Sequence, residues 1–527
     1  MSVYTSIVDA WNERVTAGPN RAAIRYFDGT IDAATLDAHS DALAVELQER
    51  GVRPGDRIGI YLQNIPYYPL TLLAVWKAGA IAVPLNPMYQ GGELRRLVED
   101  SGTTGIVVAR GTDTATRGAL SGTQVRWLIS ASSRDFQSRN DSRIFPGPDP
   151  APSPDGDLAT VLVDRRGRRP APVTRDHDDI AFITYTSGTT GPPKGALNTH
   201  RNFLCSVASY AEWIRLAPGD VSYAIAPMFH ITGLSLNAGI ALLGDATLSM
   251  GGRFEASVVL DLFREHGVTT TVGSITAFNA FFGVPGAGPD HFASAKFIYS
   301  GGAPIPPATI AAFRARFGVY LHNIWGMTET TGGGIAVPPG RAAPVHGPSG
   351  TLSVGVATRG VAVVTVDAEG RQQAPGEEGE LVVTAPQVIP GYWHNEEATE
   401  RTLPGGRLHT GDVAVIDDEG WVYLVDRIKD QINTSGYKVW PREVEDVLCE
   451  HPSVLEAAVV GVPDDYRGEA VVAYVSLREG ETADPVELTL FAGERLAAYK
   501  RPREVYVLDA LPKTATGKIQ RGVLRDR

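Results

Sequence analysis

The chain has 527 residues, 43% hydrophobic and 20% charged; it is too long for one ordinary core, and no run nears the roughly 18 apolar residues of a spanning helix, which excludes an integral membrane segment. A formal net charge of −12 argues against nucleic acid or anionic lipid as a bulk partner, while leaving room for an anionic nucleotide met locally by a few lysines. Residues 1–20 lack a signal-peptide core, and Cys205 and Cys449 are too few for a disulfide framework or a zinc site, so a reducing, cytoplasmic location is expected.

In chain order, residues 40–50 read as an amphipathic helix, with Leu43 and Leu47 four apart and Gly51 as its stop. A strand at 57–62, a helix at 70–77 and a strand at 81–85 form a βαβ unit, which predicts a parallel sheet covered by helices. Residues 132–176 are rich in Pro, Gly and charge and read as a loop or mobile connector. Its Arg165, Arg166, Arg168 and Arg169 have no aromatic neighbours for base stacking, so a solvated basic loop is the better reading. Alternation resumes with a strand at 180–185, a helix at 258–266, a strand at 269–272, a helix at 306–317 and a strand at 320–324. From Glu377 the chain turns to short β segments, such as 379–384 and 420–425. A last α+β unit begins near Lys429, with helices at 441–450 and 485–498 and strands at 457–462, 469–477 and 504–508.

The strand at 180–185 runs into Thr186-Ser187-Gly188-Thr189-Thr190-Gly191-Pro192-Pro193-Lys194-Gly195. Glycines let backbone N–H groups approach phosphate oxygens, the hydroxyls add donors, and Lys194 adds a cation for the β- and γ-phosphates. No G-K-[ST] closes the loop, so it is not a Walker A motif. A bare linker would rarely end in Pro-Pro-Lys-Gly directly after an apolar strand.

This loop resembles the signature phosphate-binding loop of the adenylate-forming superfamily, which holds acyl-CoA synthetases, luciferases and the adenylation domains of peptide synthetases. Further segments follow in the family's order, so the resemblance spans essentially the whole chain. It implies an α/β fold: a large N-terminal domain of α/β layers with a β-rich subdomain, residues 1–428, and a small mobile α+β C-terminal domain, residues 429–527, hinged at Lys429. It also implies an acid:CoA ligase that uses ATP, Mg²⁺ and coenzyme A and passes through an acyl-AMP.

Residue by residue, Thr328 in Trp325-Gly326-Met327-Thr328-Glu329 is implied at the α-phosphate and Glu329 at Mg²⁺, an oxygen ligand for a hard cation. Trp325 stands where most relatives have Tyr, and its face is expected against adenine; Asn323 and Gly326 are placed in the same nucleotide site. Ser300-Gly301-Gly302-Ala303-Pro304 resembles the segment along adenine and the acyl pocket. Asp412 and Arg427 match the ribose contacts, a carboxylate being able to accept from both hydroxyls of a diol. Lys518, in a C-terminal loop, would bridge the substrate carboxylate and the α-phosphate. After hinge rotation, Ser435, Gly436 and Tyr437 would shape the approach of the thiol; Asn433 and Ser435 stand where some relatives have Lys, so no second-step lysine is assigned.

Pro227-Met228-Phe229-His230 followed by Ile231-Thr232 resembles the acyl-CoA synthetase gate, with His230 beside the carboxylate pocket. No acidic residue occurs from Pro227 to Leu243, which favours a neutral acid over an amino acid. Ile324 in place of the Gly of aromatic-acid relatives is expected to shorten the tunnel, while Gly326 keeps another wall open, so a small to medium acid is expected. The alternative is a free-standing adenylase that passes the activated acid to a carrier protein or an amine.

Overall fold

The computed structural model describes residues 4–186, 193–303, 305–347, 350–427, 430–434, 437–464, 466–514, 517–525 and 527. The α/β alternation is built as two large sheets. The six-stranded one is parallel through Trp127–Ala131, Thr103–Ala109, Arg57–Tyr61, Ile81–Pro84 and Ile180–Tyr185, and closes with an antiparallel strand, Gly195–Thr199. The nine-stranded one carries Thr270–Ser274, Phe297–Gly301 and Leu321–Trp325 side by side in parallel. Helices cover both sheets, as parallel strands require.

The first predicted helix starts earlier than its apolar spacing suggested, at Ala33, because Asp32 accepts a hydrogen bond from the Thr35 amide at 2.7 Å and caps it. The connector at 132–176 departs from expectation. It contains helix Leu158–Asp164, capped by Asp157, with Leu158, Val161 and Leu162 buried. Its basic run is tied down as well: Arg165 reaches Glu46 and Glu49 at 2.8 Å, and Arg168 reaches Glu49 at 2.6 Å. The acids at the end of helix Ala33–Glu49 neutralise these arginines.

Beneath the strands that lead to the site, buried Phe278, Phe281, Phe292, Phe313 and Phe317 meet mostly edge to face, with ring centroids such as Phe278–Phe313 at 5.7 Å. Each buried ring contributes on the order of 2 kcal/mol through apolar burial. This cluster seats helix Pro307–Phe317 against the turn Pro289–Phe292.

Two smaller sheets follow. Ala362–Val366, Glu378–Thr384, Leu408–Ile416 and Val422–Arg427 form an antiparallel four-stranded sheet, the expected β-rich part. The last sheet pairs Val454–Asp464, Gly468–Leu477, Ile432–Thr434 and Tyr437–Val439, with Glu504–Leu508 added in parallel. Helices Pro441–Cys449 and Pro485–Arg495 pack on it around Val444, Leu448, Val459, Val475 and Leu488, a core separate from the others. Among the described residues, no helix is long and apolar enough to cross a membrane.

Candidate active site

The Gly/Thr-rich loop joins the antiparallel strands Ile180–Tyr185 and Gly195–Thr199, and its two ends are tied together. The Thr186 amide donates to the Lys194 carbonyl at 2.9 Å, and the Lys194 amide donates to Thr186 Oγ1 at 3.3 Å. Ser187, Gly188, Thr189, Thr190 and Gly191 lie outside the described residues, as do Pro304, Lys429, Ser435 and Gly436. Lys194 is half-buried, with its ammonium 4.3 Å from the centre of the Tyr392 ring. Burial lowers its pKa, and nearby Glu329 acts in the opposite sense.

The turn after strand Leu321–Trp325 brings Thr328, half-buried, and Glu329, 6% exposed, to the same region. Tyr392 donates its hydroxyl to Glu329 Oε1 at 2.6 Å. Asn323 is buried one turn of strand away, with its amide nitrogen donating to the Ser353 carbonyl at 3.2 Å.

Asp412 lies on the β-rich sheet, 4% exposed, directly across from Arg427 in the ladder. Its two oxygens are held from two sides: Arg427 Nε is 2.9 Å from Oδ1, and Trp325 Nε1 donates to Oδ2 at 3.0 Å. Trp325 was expected to offer only an aromatic face; the structure shows its indole N–H committed to this carboxylate.

Lys518 arrives from the C-terminal tail. Thr276 donates to the Gly517 carbonyl at 3.1 Å, and Lys518 Cε lies 3.7 Å from where a Cβ on Gly302 would stand. Burial and the Arg427 guanidinium push its pKa down, against Asp412 and Glu329, which favour the ammonium. Lys518 thus lies beside Gly302 and within electrostatic reach of Asp412, Arg427 and Glu329. His230 faces the same cation: burial and Lys518 push its pKa down to about 3, so the ring is neutral at physiological pH. Its Nδ1 accepts from the Thr232 amide at 3.4 Å, which leaves the proton on Nε2.

Thr232 opens a π-helix, Thr232–Gly239, an unusual geometry that frequently marks functional sites. Ser300 is fully buried, and its hydroxyl has no hydrogen-bond partner among the described residues. A Cβ on Gly301 would stand 2.4 Å from the Ile324 carbonyl, so that glycine lets two strands close up. Ile324 is buried, and its Cδ1 points toward Gly333. The reading of Gly326 as an open wall is corrected: a Cβ there would lie 2.2 Å from the Gly332 carbonyl. Backbone packing, not pocket space, requires a glycine at 326.

Two features went unread in the sequence. Tyr392 has no motif spacing to mark it and lies 63 residues from Glu329. Arg521, three residues after Lys518, reaches Glu445 at 2.8 Å, Asp430 at 3.3 Å and Asp426 at 4.0 Å, while Arg525 reaches Asp430 at 2.8 Å. Of these acids, Asp426 and Asp430 flank the position expected to be the hinge. Tyr437, by contrast, is 58% exposed and stacked on Tyr499 at 4.7 Å.

The sequence profile of the AMP-binding enzyme family matches residues 11–393, and that of the AMP-binding enzyme C-terminal domain matches residues 443–518. The chain is 31% identical to a long-chain-fatty-acid–CoA ligase of Escherichia coli O157:H7, over 99% of this chain and 94% of that one. It is 32% identical to a feruloyl-CoA synthase of an Amycolatopsis species, over 98% and 97% of the two chains. Among solved structures, o-succinylbenzoate CoA synthetase from Bacillus subtilis, in complex with its acyl-adenylate intermediate, superposes with a TM-score of 0.79 at 29% identity, covering 100% of this chain and 99% of that one.

Proposed function

This chain belongs to the AMP-binding enzyme family and is an ATP-dependent acid:CoA ligase working through an acyl adenylate, and we propose how its residues divide that work. In the first half-reaction a carboxylate oxygen attacks the α-phosphorus of ATP, and the bond to pyrophosphate breaks. In the second, the sulfur of CoA attacks the acyl carbon, and the bond to AMP breaks.

Two anions must approach in the first step, so cations have to meet them. Lys194 and the Thr186–Gly191 loop hold the β- and γ-phosphates, and Thr328 and Lys518 meet the α-phosphate. Glu329 suits Mg²⁺, being a buried carboxylate with one oxygen fixed by Tyr392. When bound, that ion neutralises charge on the phosphates. Asp412 takes the ribose diol with the remaining lone pairs of its two oxygens, while Trp325 and Arg427 keep the carboxylate oriented. His230, neutral with a proton on Nε2, donates to the substrate carboxylate without adding a competing charge.

The observation that carries this reading is the seating of the Lys518 loop on the large domain, with Thr276 bonded to the Gly517 carbonyl and Lys518 Cε against Gly302, within electrostatic reach of Asp412, Arg427, Glu329 and His230. It supports an adenylation-ready arrangement in which residues 429–527 act as a lid on residues 1–428. Rotation at Lys429 then withdraws Lys518 and brings in the Ser435–Tyr437 segment, whose Tyr437 is exposed in the present arrangement.

For the acid, the absence of acidic residues from 227 to 243 and the buried Ile324 side chain favour a neutral acid of small to medium length. The relatives named for long-chain fatty acids and for ferulate set the two outer limits of that panel. The test is pyrophosphate release across a panel of acids, with and without CoA. Release that needs one acid class and CoA, with an acyl-CoA product, is expected. Acid-dependent release indifferent to CoA would transfer the second step to a carrier protein or amine, and preference for long chains would overturn the size assignment.

A further inference from the structure

Tyr392 stands between two groups, Lys194 and Glu329, that belong to separate motifs of the sequence. Residues 391–393 add as a short strand against Gly195–Thr199, the strand that leaves the phosphate loop: Trp393 N donates to the Gly195 carbonyl at 2.7 Å, and Leu197 N donates to the Gly391 carbonyl at 3.0 Å. A second tie runs to the other motif, since the Ile389 amide donates to the Glu329 carbonyl at 3.0 Å. The Tyr392 amide is held in turn by Thr399 Oγ1 at 3.0 Å. The backbone around Tyr392 is therefore fixed relative to both Lys194 and Glu329.

Its side chain uses that placement twice. The hydroxyl donates to Glu329 Oε1 at 2.6 Å, and the ring face lies 4.3 Å from the Lys194 ammonium. At 4% exposed, the side chain meets little water to weaken either contact. Burial and the neighbouring carboxylate raise the phenol's pKa, so it remains a donor across the working pH range. A carboxylate with one oxygen engaged presents the other in a defined direction. An ammonium over a ring face is held by that face and keeps its remaining N–H groups for other partners.

We propose that Tyr392 is the positioning residue that sets both grips of the adenylation step, orienting Glu329 toward the divalent cation and Lys194 toward the phosphates. The proposal rests on the assignment of Glu329 and Lys194 given above. It separates the two contacts chemically: Tyr392→Phe removes the hydroxyl and keeps the ring face, whereas Tyr392→Leu removes both.

The test is calorimetric titration of ATP into the full chain, first in EDTA and then at graded Mg²⁺ concentrations, for the wild type, Y392F, Y392L and E329Q. Y392F keeps the packing volume, and its unfolding temperature verifies an intact fold. Y392F is expected to match the wild-type ATP affinity in EDTA, while the Mg²⁺ concentration for half-maximal enhancement rises about tenfold, the scale of one lost hydrogen bond to a charged group. Y392L is expected to lose about three- to tenfold of ATP affinity in EDTA as well. Y392F that superimposes on the wild type at every Mg²⁺ concentration, while E329Q does not, overturns the proposal alone. Equal losses by Y392F and Y392L in EDTA also overturn it, by reducing Tyr392 to packing. E329Q with unchanged Mg²⁺ dependence overturns the metal assignment and this proposal with it.

Discussion

Trp325 Nε1 donates to Asp412 Oδ2 at 3.0 Å, from a strand of the nine-stranded sheet to a strand of the β-rich sheet 87 residues later. Arg427 holds the opposite oxygen at 2.9 Å, so the carboxylate expected to meet ribose is oriented before any nucleotide arrives. A tyrosine at 325 would present its polar atom at a different point. The protein's Trp there is thus explained by the carboxylate it holds.

Trp325→Phe removes that donor and keeps an aromatic face. The KM for ATP is expected to rise about fivefold to tenfold, the scale of a hydrogen bond to a charged group, with the KM for the acid unchanged. The preference for ATP over 2′-deoxy-ATP is expected to shrink in the same variant. Steady-state kinetics with both nucleotides checks this, and an unchanged preference would remove Trp325 from the ribose site.

Lys518→Ala is expected to depress acid-dependent pyrophosphate release by two or more orders of magnitude, the scale of losing a principal charge stabiliser. Thioester formation from supplied acyl-AMP is expected to fall much less. The pH profile carries a second signature. Adenylation needs the ammonium, and burial lowers its pKa, so the rate is expected to fall as pH rises through a value below the ordinary lysine range. Equal loss of both half-reactions would contradict the alternation of the lid.

Arg521 touches no expected substrate atom, but it faces Glu445, Asp430 and Asp426 together. Arg521→Met leaves buried carboxylates without their main partner, a change that costs on the order of 3–5 kcal/mol. The last sheet is expected to become protease-sensitive, and both half-reactions are expected to fall, unlike the selective loss in K518A. Limited proteolysis followed by assays of each half-reaction distinguishes the two.

Ile324→Gly is expected to admit longer or bulkier acids, shown as a shift in relative kcat/KM across the panel. A Gly326→Ala variant is expected to do the opposite of opening or closing a pocket: it strains the backbone against the Gly332 carbonyl and lowers the unfolding temperature.

Stability is expected to fall in mild acid for a defined reason. Burial pushes the pKa of His200 and of His322 down to about 4, from an ordinary value of 6.5. Below pH 6.5 the unfolded chain takes up protons that the folded chain refuses, so stability is full above that value and is lost as pH falls toward 4. Each histidine accounts for up to about 3 kcal/mol of this loss. Denaturant unfolding between pH 7 and 4 checks the slope, and His200→Gln is expected to flatten it.

Motif order and hydrophobic period made much of the protein legible in its sequence. The phosphate loop after an apolar strand could be read from its residue types, whereas roles for Thr328, Glu329, Asp412, Arg427 and Lys518 were legible only through the family resemblance whose motif order they follow. The strand at 180–185 and the strand at 504–508 are found at their predicted bounds. Helix Leu158–Asp164 was hidden because seven residues show barely two turns of period, and its apolar face became legible only against its neighbours.

What only the tertiary structure decided are relations between residues far apart in the chain: Trp325 with Asp412, Tyr392 with both Glu329 and Lys194, and Arg521 with the acids beside the expected hinge. Gly326 belongs with them, its need for a missing Cβ set by the Gly332 carbonyl. Local sequence encodes period, caps and chemical type. Which buried donor faces which carboxylate depends on how separate sheets pack, and no spacing along the chain records that.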